Sequence, residues 1–319
     1  MPDYLMLLSP SANRVYAGTA PELAAAELGA CWAAARDVIP KRLAGVDYLS
    51  FSAEPAALPI LARQSACFAL FEAEEDLLRP VPLPDVYKLD DDLVTIPKYQ
   101  GKTNEQFTQL LLNVTLAAVT RAPDGPRQIL DPLAGRGTTI STALRLGHDG
   151  YGIELDEKAF EAMASFYKTY LRRKRIKHSA EISPVRRNGR AVGRRFDVEV
   201  PGNKASVFTG DARQSAELFG KKRFDAIVTD APYGVAHGSL ASSGKDRSPR
   251  QLLSEAIPIW ANQLKRGGAL GISWNTFGVT REDLAGIVAK AGLEPLEWGF
   301  AHRVDSAIKR DIVVAHKPL

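Results

Sequence analysis

The stretch Asp131-Pro132-Leu133-Ala134-Gly135-Arg136-Gly137-Thr138-Thr139 follows an apolar run, Gln128-Ile129-Leu130, and opens into a helical pattern from Thr138 to Leu146. A glycine-rich turn between strand and helix lets backbone N–H groups approach a ligand closely, and the helix N-terminus adds the positive end of its dipole. Ninety-nine residues after Asp131, a second apolar run, Phe224-Asp225-Ala226-Ile227-Val228-Thr229, ends in Asp230-Ala231-Pro232-Tyr233-Gly234. A carboxylate, a stiffened turn and an aromatic ring in that order suit a planar amino group. The carboxylate accepts one N–H, a backbone carbonyl accepts the other, and the ring stacks on the plane.

Around these two turns, strand and helix patterns alternate. Strands are expected at 127–131, 149–154, 205–210, 224–230, 268–274, 295–302 and 309–316. An amphipathic helix over Asn104–Thr120 aligns Phe107, Leu110, Leu111, Val114 and Ala117 on one stripe. Such alternation implies a parallel sheet with right-handed crossovers. Only Arg303–Ile308 separates the last two strands, so that pair should be antiparallel. Phe196–Val200 alternates like a strand and could form a hairpin with 205–208.

Residues 1–90 read as a small acidic α/β unit and 91–319 as the main domain, with a basic insert at 171–203. In the first unit, strands are expected at Tyr4–Leu8, Val46–Phe51 and Cys67–Glu72. Thr19 and Glu22 form a capping box for an Ala-rich helix reaching about Val38, Pro55–Arg63 is a short helix, and 73–92 a linker. Its sequence does not decide between orienting a substrate and serving as a packing or dimerisation module.

The 319 residues are 45% hydrophobic, enough for a sizeable core. Cys31 and Cys67 lie in apolar segments and read as buried small hydrophobes rather than a disulfide framework. No run of about 18 apolar residues occurs and the N-terminus lacks a basic-then-apolar pattern, so a soluble, cytoplasmic protein without membrane contact is expected. The five histidines are scattered and only His237 falls near the two turns, so no metal is expected. A formal net charge of +4 hides a strong asymmetry. Residues 1–97 hold 7 Lys/Arg against 14 Asp/Glu, whereas residues 172–195 hold 10 Lys/Arg against Glu181 alone. A local excess of that kind points to a polyanion, with a solvated charged insert as the alternative.

The two turns together resemble class I S-adenosylmethionine-dependent amino-methyltransferases, with a first motif D-P-F-x-G-x-G-T and a catalytic motif [DNS]-P-P-[YF]. The resemblance covers roughly residues 98–316, with Leu133 replacing the phenylalanine and Ala231 the first proline. Glycine motif first and catalytic motif second is the order of the THUMP-associated tRNA guanine-N2 methyltransferases. The resemblance implies a seven-stranded Rossmann-like class I methyltransferase sheet ending in an antiparallel pair, with the small N-terminal α/β domain before it. It implies S-adenosylmethionine as cofactor and RNA, above all tRNA, as partner.

Carried onto this chain, the resemblance gives Asp131 the methionine ammonium, and makes Ala134, Gly135, Gly137 and Thr138 the close-approach turn. Glu154, 23 residues beyond Asp131, takes the ribose hydroxyls, as in dinucleotide-binding folds, unless it caps the next helix. Asp211 and the Ala212 backbone meet the adenine edge, a turn role in the Gly-Asp pair being the alternative. Lys98–Glu105 resembles the segment that folds over the methionine end, and contributes Asn104 and Phe107. Asp230, Pro232 and Tyr233 are the catalytic set. Residues 234–250 read as a loop closing over a flipped base, and Arg172, Arg173, Lys174 and Arg175 as phosphate contacts. Three other readings stay open: a DNA adenine-N6 or cytosine-N4 methyltransferase, a small-molecule or protein-glutamine methyltransferase, and a non-catalytic RNA-binding protein on the same fold.

Overall fold

A computed structural model describes residues 1–10, 14–75, 77–99, 101–187, 190–232 and 249–319. In chain order these form β1 (Asp3–Leu8), α1 (Arg14–Ala17), α2 (Ala20–Cys31), β2 (Arg36–Leu43), β3 (Val46–Ser52), α3 (Leu58–Leu61), β4 (Cys67–Glu74) and β5 (Leu77–Val81). There follow α4 (Asp92–Thr95), α5 (Glu105–Ala117), β6 (Gln128–Asp131), α6 (Thr138–Arg145), β7 (Asp149–Glu154) and α7 (Glu157–Arg173). Then come β8 (Ser179–Arg187), β9 (Arg190–Val200), β10 (Asn203–Thr209), α8 (Ser215–Phe219) and β11 (Phe224–Asp230). The chain ends with α9 (Pro249–Gln263), β12 (Leu264–Asn275), α10 (Arg281–Lys290), β13 (Glu294–Pro295), β14 (His302–Arg303) and β15 (Lys309–His316).

Strand β11 is buried from Phe224 to Thr229, as expected of a strand covered on both faces. Its side chains alternate between two cores. Ile227 packs with Leu270, Ile272, Leu253 and Trp260 beneath α9 and α10. Ala226 and Val228 pack with Phe107, Leu110, Leu111 and Val114 of α5. The sheet order is β13-β15-β12-β11-β6-β7-β10-β9-β8, with β14 also on β15. Strands β10, β7, β6, β11 and β12 are parallel, and β15 runs antiparallel to β12. This is the expected Rossmann-like α/β architecture, with the closing antiparallel strand.

Two details differ. The strand expected at 295–302 is reduced to β13 and β14: past Leu296, whose N–H still donates to Val314 O at 2.8 Å, side chains help to pin the stretch between them. Arg281 donates to Trp298 O, and Phe300 N–H donates to Asp311 Oδ1 at 2.9 Å. The basic insert adds two strands. The hairpin between Phe196–Val200 and 205–208 forms as expected, with Val198 opposite Ala205 and Phe196 opposite Val207. Beyond it β8 pairs with β9 and becomes the sheet edge.

The N-terminal residues build a five-stranded antiparallel sheet, β2-β3-β1-β4-β5, under α2. Helix α2 ends at Cys31 rather than near Val38, which lies in β2, where Pro40 and the β-branched pair Val38-Ile39 favour extended backbone. The capping box does not form. Thr19 Oγ1 donates to Tyr16 O at 3.2 Å and makes no cap bond. The expected linker 73–92 contains β5, paired to β4 with Leu70 opposite Val81.

Helix α2 is shared between the two sheets. Ala24 and Leu28 face the small one, while Ala20 and Leu23 pack with Phe107 and Leu111. At this junction the fully buried Glu27 carboxylate accepts Ser65 N–H at 3.0 Å and Asn113 Nδ2–H at 2.7 Å. Burial pushes its carboxyl up to about 7. From there residues 88–99 run along α6 from end to end. Lys88 N–H donates to Arg145 O at 2.7 Å, Leu93 packs with Ile140 and Leu144, and Tyr99 Oη meets Thr138 Oγ1 at 3.0 Å.

Candidate active site

The parallel strands deliver carboxylates to one edge of the sheet. Asp131 ends β6, Glu154 ends β7, Asp230 ends β11, and Asp211 follows the end of β10. Asp131 is 3% exposed and spends its oxygens inside the protein. It accepts Thr229 Oγ1–H at 2.8 Å, Leu133 N–H at 3.1 Å and the Thr139 hydroxyl, and burial pushes its carboxyl up to about 6. Its first effect is therefore to tie the glycine turn after β6 to the end of β11, one residue before Asp230.

The turn itself needs its glycines. Gly135 (φ 54°) and Gly137 (φ 83°) are left-handed, a region costing a β-carbon about 1–2 kcal/mol. A Cβ on Gly137 would stand 2.6 Å from Met163 Sδ, so this glycine lets the turn pack on α7. A Cβ on Gly135 would meet nothing within 4 Å, so the space above that backbone is open. Ala134 N–H donates to Ile153 O at 2.9 Å, and Thr138 begins α6.

Glu154 orders this turn. Its Oε2 accepts Gly135 N–H at 2.6 Å and its Oε1 accepts Asp156 N–H at 2.7 Å, while burial raises its pKa. With a third backbone bond from Leu155 N–H, about one of the carboxylate's roughly four lone pairs is left for a further donor. The helix cap belongs to Asp156, which accepts Lys158 N–H at 2.9 Å.

Asp211 is more committed. It accepts Arg213 Nε–H at 2.9 Å and Nη2–H at 2.6 Å, caps the turn 212–214, and is held below the usual carboxylate range by Arg213. Ala212 is buried, and its carbonyl accepts Trp260 Nε1–H at 3.0 Å.

Asp230 is half-buried, and its Oδ2 accepts the Thr103 hydroxyl. Ala231 is buried and extends the ladder, donating to Ser273 O at 2.8 Å, and Pro232 is exposed. Tyr233, His237 and the loop through 248 lie outside the described residues.

Three expectations meet a different geometry. Asn104 caps α5, its Oδ1 accepting Gln106 N–H at 2.8 Å and Phe107 N–H at 3.3 Å. Phe107 is 0% exposed, its ring 4.5 Å from the Arg310 guanidinium and 5.1 Å from His302, which leaves no face for a ligand. Arg172 and Arg173 end α7 and Lys174 and Arg175 follow it; its 17 residues span about 25 Å and carry the chain to the opposite edge of the sheet. There Lys174 pairs with Asp90 at 2.8 Å and Asp92 at 2.5 Å.

Sequence alone does not single out Thr103 or the Tyr99–Arg136 stack, 4.7 Å from guanidinium to ring centre, at the N-terminus of α6. Nor does it single out His302, a buried imidazole that feels the Asp230 charge and is held below its usual range by burial. The signal for the first two is the segment Lys98–Glu105, which carries Tyr99 and Thr103 beside Asn104. Among the described residues no group of His, Cys, Asp or Glu has the arrangement of a metal site, and no helix is long and apolar enough to cross a membrane.

No family model and no curated protein matches the chain. Among solved structures, TrmN from Thermus thermophilus is similar at 14% identity and a TM-score of 0.45, over 86% of this chain and 57% of that one. The magnesium protoporphyrin IX methyltransferase ChlM from Synechocystis, solved with bound SAM, is similar at 15% identity and 0.43, over 69% and 86%. A TehB-like SAM-dependent methyltransferase from Corynebacterium glutamicum is similar at 17% identity and 0.37, over 61% and 82%. The chain thus spans just over half the length of TrmN, and likeness of this degree assigns it no substrate.

Proposed function

We propose that this protein is an S-adenosylmethionine-dependent methyltransferase acting on an exocyclic amino group of a base in RNA, guanine N2 of tRNA in its most specific form. The observation that supports it best is the 2.8 Å bond from Thr229 to Asp131, which sets the glycine turn and the Asp230 carboxylate side by side at one sheet edge.

The residues present fit the cofactor at two of three points. The open space over Gly135 admits a ligand to the backbone, and Glu154, with three backbone bonds already made, keeps a lone pair to offer the ribose hydroxyls. At the third, the Asp211 carboxylate is held by Arg213, so the adenine edge falls to the N–H of Ala212, first in its turn and without an intrahelical acceptor. When bound, the cofactor supplies an electrophilic methyl group on sulfonium.

The chain's own part is to hold and deprotonate the nucleophile. An exocyclic amine is a weak nucleophile because its lone pair is delocalised into the ring. Asp230 Oδ1 and the carbonyl of Ala231 or Pro232 accept its two N–H bonds, which favours the pyramidal form. Thr103 holds Oδ2 and so fixes the plane of the carboxylate. As the nitrogen becomes cationic, Asp230 takes its proton. Positioning provides most of the acceleration.

The test is methyl transfer from labelled S-adenosylmethionine to unmodified tRNA, ribosomal RNA and genomic DNA in parallel, with nucleoside mass spectrometry and Asp230→Ala as control. N2-methylguanosine from tRNA, lost in the variant, is the expected result. Product from DNA alone, or none from any substrate while the cofactor binds, would reject it.

A further inference from the structure

The basic insert splits into two parts at opposite edges of the sheet. The end of α7 lies at the edge away from the candidate site. The hairpin β8–β9 returns to the edge that carries Asp131, Glu154 and Asp230. Strand β9 is antiparallel to β10, and their pairing ends with Phe208 opposite Arg195. Gly193 and Arg194 flank Thr209, the last residue of β10, with Arg194 N–H donating to Thr209 Oγ1 at 2.8 Å. Pairing between β8 and β9 continues to Arg186 opposite Ala191 and Arg187 opposite Arg190. Three residues of β9 and two of β8 therefore stand past the tip of β10, about 10 Å at ~3.3 Å per residue along β9.

That ribbon is made of arginine and small or apolar residues. Residues 182–196 contain Arg186, Arg187, Arg190, Arg194 and Arg195, with no Asp, Glu or Lys. Two of the five anchor its base. Arg194 pairs with Glu161 at 2.9 Å and Glu157 at 3.4 Å and lies over the Phe160 ring, and Arg195 pairs with Asp197 at 2.6 Å. Arg186 is exposed, as are Ala191 and Val192 opposite it. Phe196 and Val198 are buried against Tyr167, so the arm grows out of the core rather than from a loop.

We propose that the β8–β9 hairpin is an arm that grips the phosphate backbone of the RNA at a distance from the reacting base. This rests on the function proposed above and names the surface that would hold its substrate. Arginine forks fit phosphate oxygens in pairs, and an arginine ribbon without carboxylates complements a polyanion. From β11 to β9 is four strand spacings, about 19 Å at ~4.8 Å each. At one phosphate per ~3.4 Å of a helical strand, the arm meets the backbone on the order of five nucleotides from the base at Asp230. The arm therefore sets affinity and register and leaves the methyl-transfer step alone.

The experiment compares wild type, Arg186→Ala/Arg187→Ala/Arg190→Ala, the corresponding triple Lys variant, and Arg172→Ala/Arg173→Ala/Arg175→Ala. Binding to unmodified tRNA and to duplex DNA is measured from low to moderate salt, with cofactor binding and thermal unfolding as folding controls. The arm variant is expected to bind tRNA at least about tenfold more weakly, with the salt slope shallower by about 2. The Lys triple should recover most of the slope, the α7 triple should match wild type, and KM for RNA should rise with kcat unchanged. An unchanged affinity and slope in a folded arm variant overturns the proposal, whether or not the wild type methylates RNA. Equal loss on DNA overturns the choice of RNA. Wild-type binding that depends on the arm but yields no methylated product would leave the arm standing and reject the proposed activity.

Discussion

Thr103 and Asp230 stand 127 positions apart in the chain, and the Thr103 hydroxyl donates to Asp230 Oδ2. The bond closes a set of contacts that begins at Lys88, follows α6 past Leu93 and Tyr99, and ends at the carboxylate proposed to be catalytic. Replacing Thr103 by Val removes a hydrogen bond to a charged group, about 1.5–3 kcal/mol, and should slow methyl transfer by roughly 10- to 100-fold. Thr103→Ser should stay within a few-fold of wild type, and cofactor affinity should hold in both. Measured single-turnover rates decide it, and a Val variant as fast as wild type would remove Thr103 from the site.

Gly135 and Gly137 share a left-handed backbone but not a neighbourhood. Alanine at Gly137 adds a clash with the buried Met163 to the backbone cost, so it should lower unfolding stability by more than the ~1–2 kcal/mol of the conformation alone. Alanine at Gly135 carries only the backbone cost, but its methyl enters the space proposed for the cofactor. Urea unfolding and cofactor titration should therefore rank the two variants in opposite orders. The same rank in both assays would contradict the geometry.

Two buried carboxyls give stability a pH dependence of known sign. Burial raises Glu27 from 4.5 to about 7 and Asp131 from 3.8 to about 6. The folded state then binds more protons than the unfolded one within those windows, so stability is greatest below about 4 for these groups and is lost as pH rises to about 7. Each shift is worth about 3 kcal/mol. Glu27→Gln should flatten the fall between pH 4.5 and 7 measured by urea unfolding, even if it lowers stability throughout by disturbing the bonds to Ser65 and Asn113. A variant with the wild-type slope would show that Glu27 keeps an ordinary pKa.

The strands that carry the site were legible because they are short, largely apolar runs that end in a carboxylate, as β6, β7 and β11 do. Edge strands were not. β5 reads Leu77-Leu78-Arg79-Pro80-Val81, and its exposed leucines and proline look like a linker until β4 supplies the pairing. The charge cluster at 172–195 was visible, but its division was not, since only the length of α7 separates Arg172 from the site edge and only the β9–β10 register brings Arg194 back to it. Thr103 was invisible in kind. A threonine becomes a carboxylate's partner through a contact across 127 residues, which no local pattern announces.

Phe107 and Glu154 separate a core residue from a proposed ligand residue. Phe107 is fully buried beside Arg310 and His302, so Phe107→Ala should cost about 3–5 kcal/mol of stability, whereas Phe107→Leu should cost less than about 1.5 kcal/mol. In folded Phe107→Leu the cofactor should bind as in wild type, because the ring has no open face. Glu154→Gln keeps the shape of the side chain but makes one of its two turn-ordering oxygens a donor, which opposes Gly135 N–H or Asp156 N–H. It also removes the charge proposed to face two ribose hydroxyls, so cofactor affinity should fall by tenfold or more, a change of about 1.4 kcal/mol. Isothermal titration with the two variants gives the contrast directly. Weakened binding in Phe107→Leu, with Glu154→Gln unaffected, would move the cofactor from the strand tips to the helix α5 face and undo the assignment of the site.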